Sequence, residues 1–435
     1  MRWWLRWYGT RKSNLPTLVS HRFELRAAFK IESIVSLQGS ISSIPSTTDS
    51  GPRGYRTQTF LNQNQMNGSR RTLIILMFAA ALGAAQAAEL LAPLLGAGDG
   101  LESWKAERER LIARWEGALG GPSEDTTQSD AVMEDRFETA DFEALVYRQR
   151  TGSDTWQKVL LMLPLGCQGR RPGVVVPFYD PDRMCGYDLR TRERLGAERN
   201  SALFGLHLVK QGYVVAACEA YPFNLVPESK QPANRRDFTI WRMAAAELAN
   251  RHPHWTGVGK LVHDTRRALD LLSTCENVDA SRLALMGHSL GGKMAFYAGA
   301  LDARVRATVA SDFGIAWDST NWGDPWYFGA RLQGMRNRGL QHHQLLACAA
   351  PSSFFLIAGQ YDNAESLPYL EEARKVHVLY GSHEAVEMFD HHSGHQPSWD
   401  ALKAAYGWLA RKLAAPEPDL RFLDTLASEQ AKAGK

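Results

Sequence analysis

The chain has 435 residues, of which 44% are hydrophobic and 22% charged. That balance excludes a disordered, collagenous or membrane-embedded polymer and fits a globular enzyme. The formal net charge of +3 is unevenly placed: residues 1–87 hold eleven Lys/Arg against three Asp/Glu, a balance of +8, which leaves −5 for the rest. An acidic body gives no electrostatic basis for a nucleic-acid partner. The five cysteines, Cys167, Cys185, Cys218, Cys275 and Cys348, form no C-x-x-C pair, which argues against a zinc ribbon or thioredoxin-type site. Cys218 falls in a strand-like run and Cys275 and Cys348 in helix-like runs, as small buried hydrophobes do. Cys167 and Cys185, both in loop-like sequence, remain open to pairing with each other.

Residues 66–88 read Met-Asn-Gly-Ser-Arg-Arg, an apolar run TLIILMFAAALGA, then Ala85-Gln86-Ala87-Ala88. A basic start, a short apolar core and an A-x-A site make a secretory leader, with cleavage expected after Ala87 and an exported product, periplasmic or secreted. The run is short for a membrane span, which takes roughly 20 residues, so stable insertion is not expected after cleavage; an uncleaved anchor is the alternative. Residues 1–65 are rich in Arg, Trp, Ser and Thr, carry no sustained amphipathic period, and read as an upstream misassignment or a disordered extension.

The folded body follows in order. Residues 101–118 have a helical pattern ended by Gly120-Gly121-Pro122, and 123–130 read as a linker. Strand-like runs over 131–139, 142–149 and 158–165, with short turns between them, predict an antiparallel edge. The apolar run 173–179 predicts a strand buried on both faces. Helices and strands then alternate: helix 202–211 and strand 213–218, helix 259–273 and strand 282–286, helix 290–301 and strand 305–311. Helix 344–349 with strand 353–358, helix 367–380 with strand 385–389, and helix 399–413 close the body. Strict alternation predicts a mostly parallel sheet with helices on both faces. The polar tail 415–435 is expected to fray.

Gly287-His288-Ser289-Leu290-Gly291 fits G-x-S-x-G between a strand, LALM, and a helix, KMAFYAGAL. A sharp strand-to-helix turn leaves no room for side chains beside the serine, which accounts for Gly287 and Gly291. It lifts the Ser289 hydroxyl above the sheet at a helix N-terminus, where a developing oxyanion is favoured. The expectation is an α/β-hydrolase fold with Ser289 as nucleophile.

The stretch from Arg282 through Gly329, with GHSLGGKMA and the Thr320-Asn321-Trp322 segment as its most specific parts, resembles the dienelactone hydrolases and acetyl xylan esterases. It is also similar to their relatives, the glucuronoyl esterases, over roughly residues 100–414. The resemblance implies an α/β-hydrolase that needs no metal or other cofactor and cleaves small-molecule or saccharide esters through a Ser–His–acid triad. One departure counts against a uronate ester: the glucuronoyl esterases typically carry Arg directly after the nucleophile, and this chain has Leu290.

A serine hydroxyl is a poor nucleophile until a base takes its proton, and in this fold the chain order is Ser, acid, His. The base belongs on the loop after the last strand, FDHHSGHQPSW. The Gly394-His395 pair matches the Gly-His at this place in the resembling families and selects His395, with His392 as the next candidate. The acid belongs after the penultimate strand, which selects Asp362; Asp312, after the strand 305–311, is its rival because some members of this fold carry the acid there. The oxyanion hole takes backbone N–H groups, expected from Leu290 and from Phe178 or Tyr179. The loop 312–343 contributes Trp317, Trp322, Trp326, Tyr327 and Phe328; Trp322 and Trp326 are candidates for stacking a sugar, against the plainer reading that they pack the loop. The charge-rich segment 180–200 is a second candidate border of the site. Competing functions on the same scaffold are a serine exopeptidase, a C–C bond hydrolase, and a non-catalytic binding protein.

Overall fold

The computed structural model describes residues 91–122, 130–231 and 238–434. The expected leader and the extension before it lie outside the described residues. Among the described residues, no helix is long and apolar enough to cross a membrane.

One sheet of nine strands organises the body: β1 (Ala131–Glu138), β2 (Phe142–Arg150), β3 (Trp156–Pro164), β4 (Arg171–Pro177), β5 (Val214–Cys218), β6 (Val278–His288), β7 (Val305–Ser311), β8 (Ser353–Ala358) and β9 (Val386–Asp390). Their order is β1-β2-β3-β5-β4-β6-β7-β8-β9. From β1 to β5 each neighbouring pair is antiparallel, and from β5 through β9 every pair is parallel. Burial explains the sequences. The Val174–Val176 run and all of β5 are buried, because helices cover both faces there, and such strands carry no polar alternation. β1 is the exposed edge, with a register shift between Met133 and Asp135 that interrupts the ladder.

On one face pack α1 (Leu101–Leu119), α3 (Thr239–Arg251), α4 (Gly257–Thr274), α5 (Leu290–Leu301), α6 (His342–Cys348) and α7 (Leu367–Leu379); on the other, α2 (Phe204–Lys210), α8 (Trp399–Lys412) and α9 (Arg421–Ala433). α1 buries Trp104, Leu111 and Trp115 along one stripe. It stops at Gly120, where φ is 69° and an added Cβ would lie 1.8 Å from the His254 carbonyl oxygen. α4 is capped by Thr256, whose hydroxyl accepts from the Gly259 amide at 2.9 Å. α5 runs between the sheet and the outer helices, so nearly all of it is buried.

One sequence expectation needs correction, one helix was not foreseen, and one open pairing is answered. The tail does not fray: α9 buries Leu423, the Leu426 carbonyl accepts from Asn200 Nδ2 at 3.1 Å, and Gln430 Oε1 accepts from the Ser201 amide at 2.8 Å. α3 had no counterpart in the reading, although Ile240, Trp241, Ala244 and Leu248 keep a helical period and are buried. Cys167 and Cys185 do not pair. Both are free thiols, and the buried Cys185 Sγ donates to the carbonyls of Asp182 and Tyr187 at 3.4 Å.

Candidate active site

Ser289 sits at the turn from β6 into α5 with φ 56°, in the left-handed region that a non-glycine residue occupies only when its surroundings force it. The forcing is steric. A Cβ on Gly287 would lie 2.0 Å from the Gly291 carbonyl oxygen, and one on Gly291 would lie 2.1 Å from the Pro177 carbonyl oxygen. The Ser289 amide donates to the Ser311 carbonyl at 2.8 Å, and its carbonyl accepts from Lys293 at 3.1 Å, which pins the turn to β7 and to the helix.

His395 lies beyond β9, and its ring meets Ser289. The serine hydroxyl donates to Nε2 at 2.9 Å, and Nδ1–H donates to Asp312 Oδ2 at 2.6 Å. An ionised carboxylate only accepts, so the bond to Asp312 fixes the proton on Nδ1 and leaves the Nε2 lone pair for the hydroxyl. The ring is held from both sides, by His288 at 4.6 Å between centroids and by Tyr361 edge-on at 5.0 Å. His288 is itself buried, bonds Ser311 Oγ through Nδ1 at 3.1 Å, and is driven well below the ordinary histidine range by burial. The rival base, His392, is exposed and turned to Asp390, at 3.0 Å from its carboxylate.

The carboxylate that meets His395 is Asp312, not Asp362. Asp312 follows β7 with φ 44° and is fully buried. Its other oxygen, Oδ1, accepts from the amides of Tyr361 at 2.6 Å and Asp362 at 3.0 Å. Asp362 is turned the other way. Its carboxylate accepts from the amides of Gly314 at 2.8 Å and Ile315 at 2.7 Å, and from the Ser366 hydroxyl at 3.0 Å. Burial raises its pKa to about 6, and the charge of Asp312 adds to the rise.

The expected oxyanion donors separate. Leu290 opens α5, and a first-turn amide has no helical carbonyl to bond. Phe178 is excluded, because its amide continues the β4–β5 ladder by donating to the Cys218 carbonyl at 3.2 Å. Tyr179, one residue on, accepts from the Ala220 amide through its carbonyl at 3.3 Å and has a half-buried side chain.

The tryptophan expectation is corrected as well. Trp322 is fully buried, its indole N–H donates to the Gly314 carbonyl at 2.7 Å, and the Lys293 ammonium lies 4.0 Å from its ring centroid. Trp326 is buried and stacked on Phe238 at 5.3 Å. Neither ring offers a free face, and Trp317 and Trp322 pack against His342, which bonds the Ile315 carbonyl at 2.6 Å and Tyr297 at 2.7 Å. The partly exposed side chains at the serine are His395, which bonds it, and Tyr361, which packs on His395. In the segment after Asp180, the Arg183 guanidinium stands 5.4 Å over the Tyr179 ring and pairs with Asp180 at 3.3 Å.

The sequence reading missed Lys293. It lies one helical turn after Ser289, buried, with Nζ donating to Asn321 Oδ1 at 3.2 Å. Burial pushes its pKa down to about 7, against the pull of Asp362, Asp324 and Asp312. The signal was present as the lysine of SLGGK, four residues after the nucleophile. Among the described residues, no group of three or more His, Cys, Asp or Glu is arranged to hold a metal ion.

The β6–α5 turn with a serine at its tip, on a parallel sheet extended by an antiparallel edge, decides the architecture. The chain has the α/β-hydrolase fold. Residues 191–318 match the model of the dienelactone hydrolase family. Among solved structures, a glucuronoyl esterase from Solibacter usitatus is 18% identical at TM-score 0.57, covering 74% of this chain and 97% of its own. A glucuronoyl esterase of carbohydrate esterase family 15 from Teredinibacter turnerae is 20% identical at 0.56, covering 76% and 90%. A Bacteroides fragilis protein bearing an acetyl xylan esterase designation is 14% identical at 0.55, covering 72% and 82%. A search of the curated proteins gives no match.

Proposed function

We propose that this protein hydrolyses carboxylic esters of carbohydrates through an acyl-enzyme, with Ser289 as nucleophile, His395 as general base and acid, and Asp312 as the carboxylate that orients His395. The observation that carries the reading is the bridge made by one imidazole, with Ser289 Oγ at 2.9 Å on one nitrogen and Asp312 Oδ2 at 2.6 Å on the other. That is the nucleophile–base–orienter geometry of acyl transfer.

In the reaction Ser289 Oγ bonds to the ester carbonyl carbon while His395 Nε2 takes its proton, and Asp312 stabilises the imidazolium that results. The carbonyl oxygen, now negative, is received by the Leu290 amide and, in this reading, by the Tyr179 amide. His395 returns the proton to the leaving alcohol. Water then repeats the sequence on the acyl-enzyme and releases the acid. The family segment over residues 191–318 and the printed activities of the structural neighbours support an ester substrate and a sugar component.

The test is hydrolysis of p-nitrophenyl acetate by the purified protein beside Ser289→Ala. The variant is expected to lose at least ~10³-fold in rate, as triad removal does. Equal rates in the two would overturn the assignment. An active wild type then takes a panel of acetylated sugars and uronate esters to fix the acyl and alcohol parts.

A further inference from the structure

Of the five thiols, Cys185, Cys218 and Cys348 are buried, while Cys167 and Cys275 are partly exposed. These two lie where adjacent strands begin. Cys167 is in the loop from β3 to β4, shortly before Arg171, and Cys275 is in the turn from α4 to β6, shortly before Val278. Arg171 and Val278 are partners across the parallel β4–β6 pair. The Arg171 amide donates to the Asn277 carbonyl at 2.8 Å, so the two approaches are tied together.

Both side chains are half-buried. In the run Leu165–Arg170 every residue is exposed except Cys167, which turns partly inward. Cys167 and Cys275 pack against the same core, together with Tyr147. Burial raises the Cys275 thiol above its ordinary value, and the nearby Glu276 and Cys167 add to the rise. Gly166 and Gly169, at φ 64° and 69°, flank Cys167, and a Cβ on either would meet nothing within 4 Å. The two glycines leave the loop open on either side of Cys167.

We propose that Cys167 and Cys275 form a disulfide that ties the loop before β4 to the turn before β6 when the protein meets an external disulfide. A thiolate of the pair attacks one sulfur of that small-molecule disulfide and expels a thiolate. The second protein thiolate then attacks the mixed disulfide and expels the other. Two protein thiols are oxidised, one external disulfide is reduced to two thiols, and the two protons given up by the protein thiols end on the two leaving thiolates. The bridge lies at the opposite end of β6 from Ser289, so it acts on stability and not on the triad. It joins positions far apart in the chain, which constrains the unfolded state most, and a rise in Tm of roughly 5 °C is expected.

The test uses the full chain, reduced and then equilibrated with oxidised glutathione, alkylated, and digested with trypsin without reductant. Cleavage after Lys158, Arg170, Arg267 and Arg282 places Cys167 and Cys275 in separate peptides. The expected result is one linked species of 159–170 with 268–282 that disappears on reduction, together with the Tm rise and unchanged ester hydrolysis. In Cys275→Ser both the linked species and the Tm rise should be absent. Recovery of the two peptides only as alkylated or glutathione-capped species overturns the proposal, as does a link from Cys167 to Cys185 or to a second chain. The readout does not depend on the proposed activity, so the two readings fail separately.

Discussion

Asp312 and Asp362 each hold the loop that carries the other: the Asp312 carboxylate accepts from the Tyr361 and Asp362 amides, and the Asp362 carboxylate accepts from the Gly314 and Ile315 amides. The exchange locks the ends of β7 and β8 together. It also divides labour between two buried acids, since only Asp312 has an oxygen left for His395. The positive φ of Asp312 is the local strain this clasp sustains.

The clasp predicts a pH signature in stability. The folded-state pKa of Asp362, about 6, lies above its ordinary value of 3.8. The folded chain thus holds this proton more tightly than the unfolded chain does. The resulting stabilisation is present at low pH and is lost as pH rises between those two values. In Asp362→Asn that loss disappears. Denaturant titrations at pH 4 and pH 7 should therefore show the wild type losing ground to the variant by up to about 3 kcal/mol over the interval. A difference between the two proteins that does not change with pH would refute it.

Lys293 gives the opposite sign. Its folded-state pKa of about 7 lies below its ordinary 10.5, so the unfolded chain binds the proton more readily and the folded protein gains stability as pH rises through that window. Lys293→Met removes the desolvated cation while keeping the length of the side chain. Thermal melts should show the variant more stable than the wild type at pH 7, by a few degrees, with the gap closing toward pH 10. A variant that melts lower at pH 7 would mean that the contacts with Asn321 and the Trp322 ring outweigh the cost of burial.

The turn at the nucleophile predicts a steric failure. In Gly291→Ala the new methyl would stand 2.1 Å from the Pro177 carbonyl oxygen, a backbone atom that cannot swing aside. A loss of more than about 3 kcal/mol in urea titration is expected, or no folded protein at all. Gly166→Ala is the control: its Cβ meets nothing, and its cost comes from positive φ alone. Equal stability of the two variants would show that the approach of β4 to α5 is not what selects Gly291.

Most of the architecture was legible because strong local signals agreed with the fold. β7, β8 and α5 begin and end where hydrophobic runs and turn residues place them. The meeting of Ser289 and His395 was legible for a related reason, since the first needs a glycine-flanked turn and the second a fixed place after the last strand. The acid was not. Asp312 and Asp362 both follow core strands and both are buried, and the choice between them depends on which way each carboxylate turns. That direction is set by the amides of the facing loop, a contact across about fifty residues that no local pattern encodes. Phe178 failed for a similar reason, because the extent of the β4–β5 ladder is decided by pairing and not by the strand itself. The tryptophans of the loop after β7 are packed into the core, as the plainer reading had it. The tail folded because Leu423 and Leu426 find a surface supplied by distant segments.

The central claim is that the relay runs from Ser289 through His395 to Asp312. The most direct measurement is kcat for p-nitrophenyl acetate in Asp312→Asn and Asp362→Asn, each shown to fold by circular dichroism. An amide at Asp312 can no longer accept from His395 Nδ1–H while keeping its bonds to the Tyr361 and Asp362 amides, so the tautomer is lost and kcat should fall by roughly 10³- to 10⁴-fold. Asp362→Asn leaves the relay intact and should stay within about 10-fold of wild type, its effect coming only through loop position. The reverse ranking, with Asp362→Asn inactive and Asp312→Asn active, would contradict the assignment.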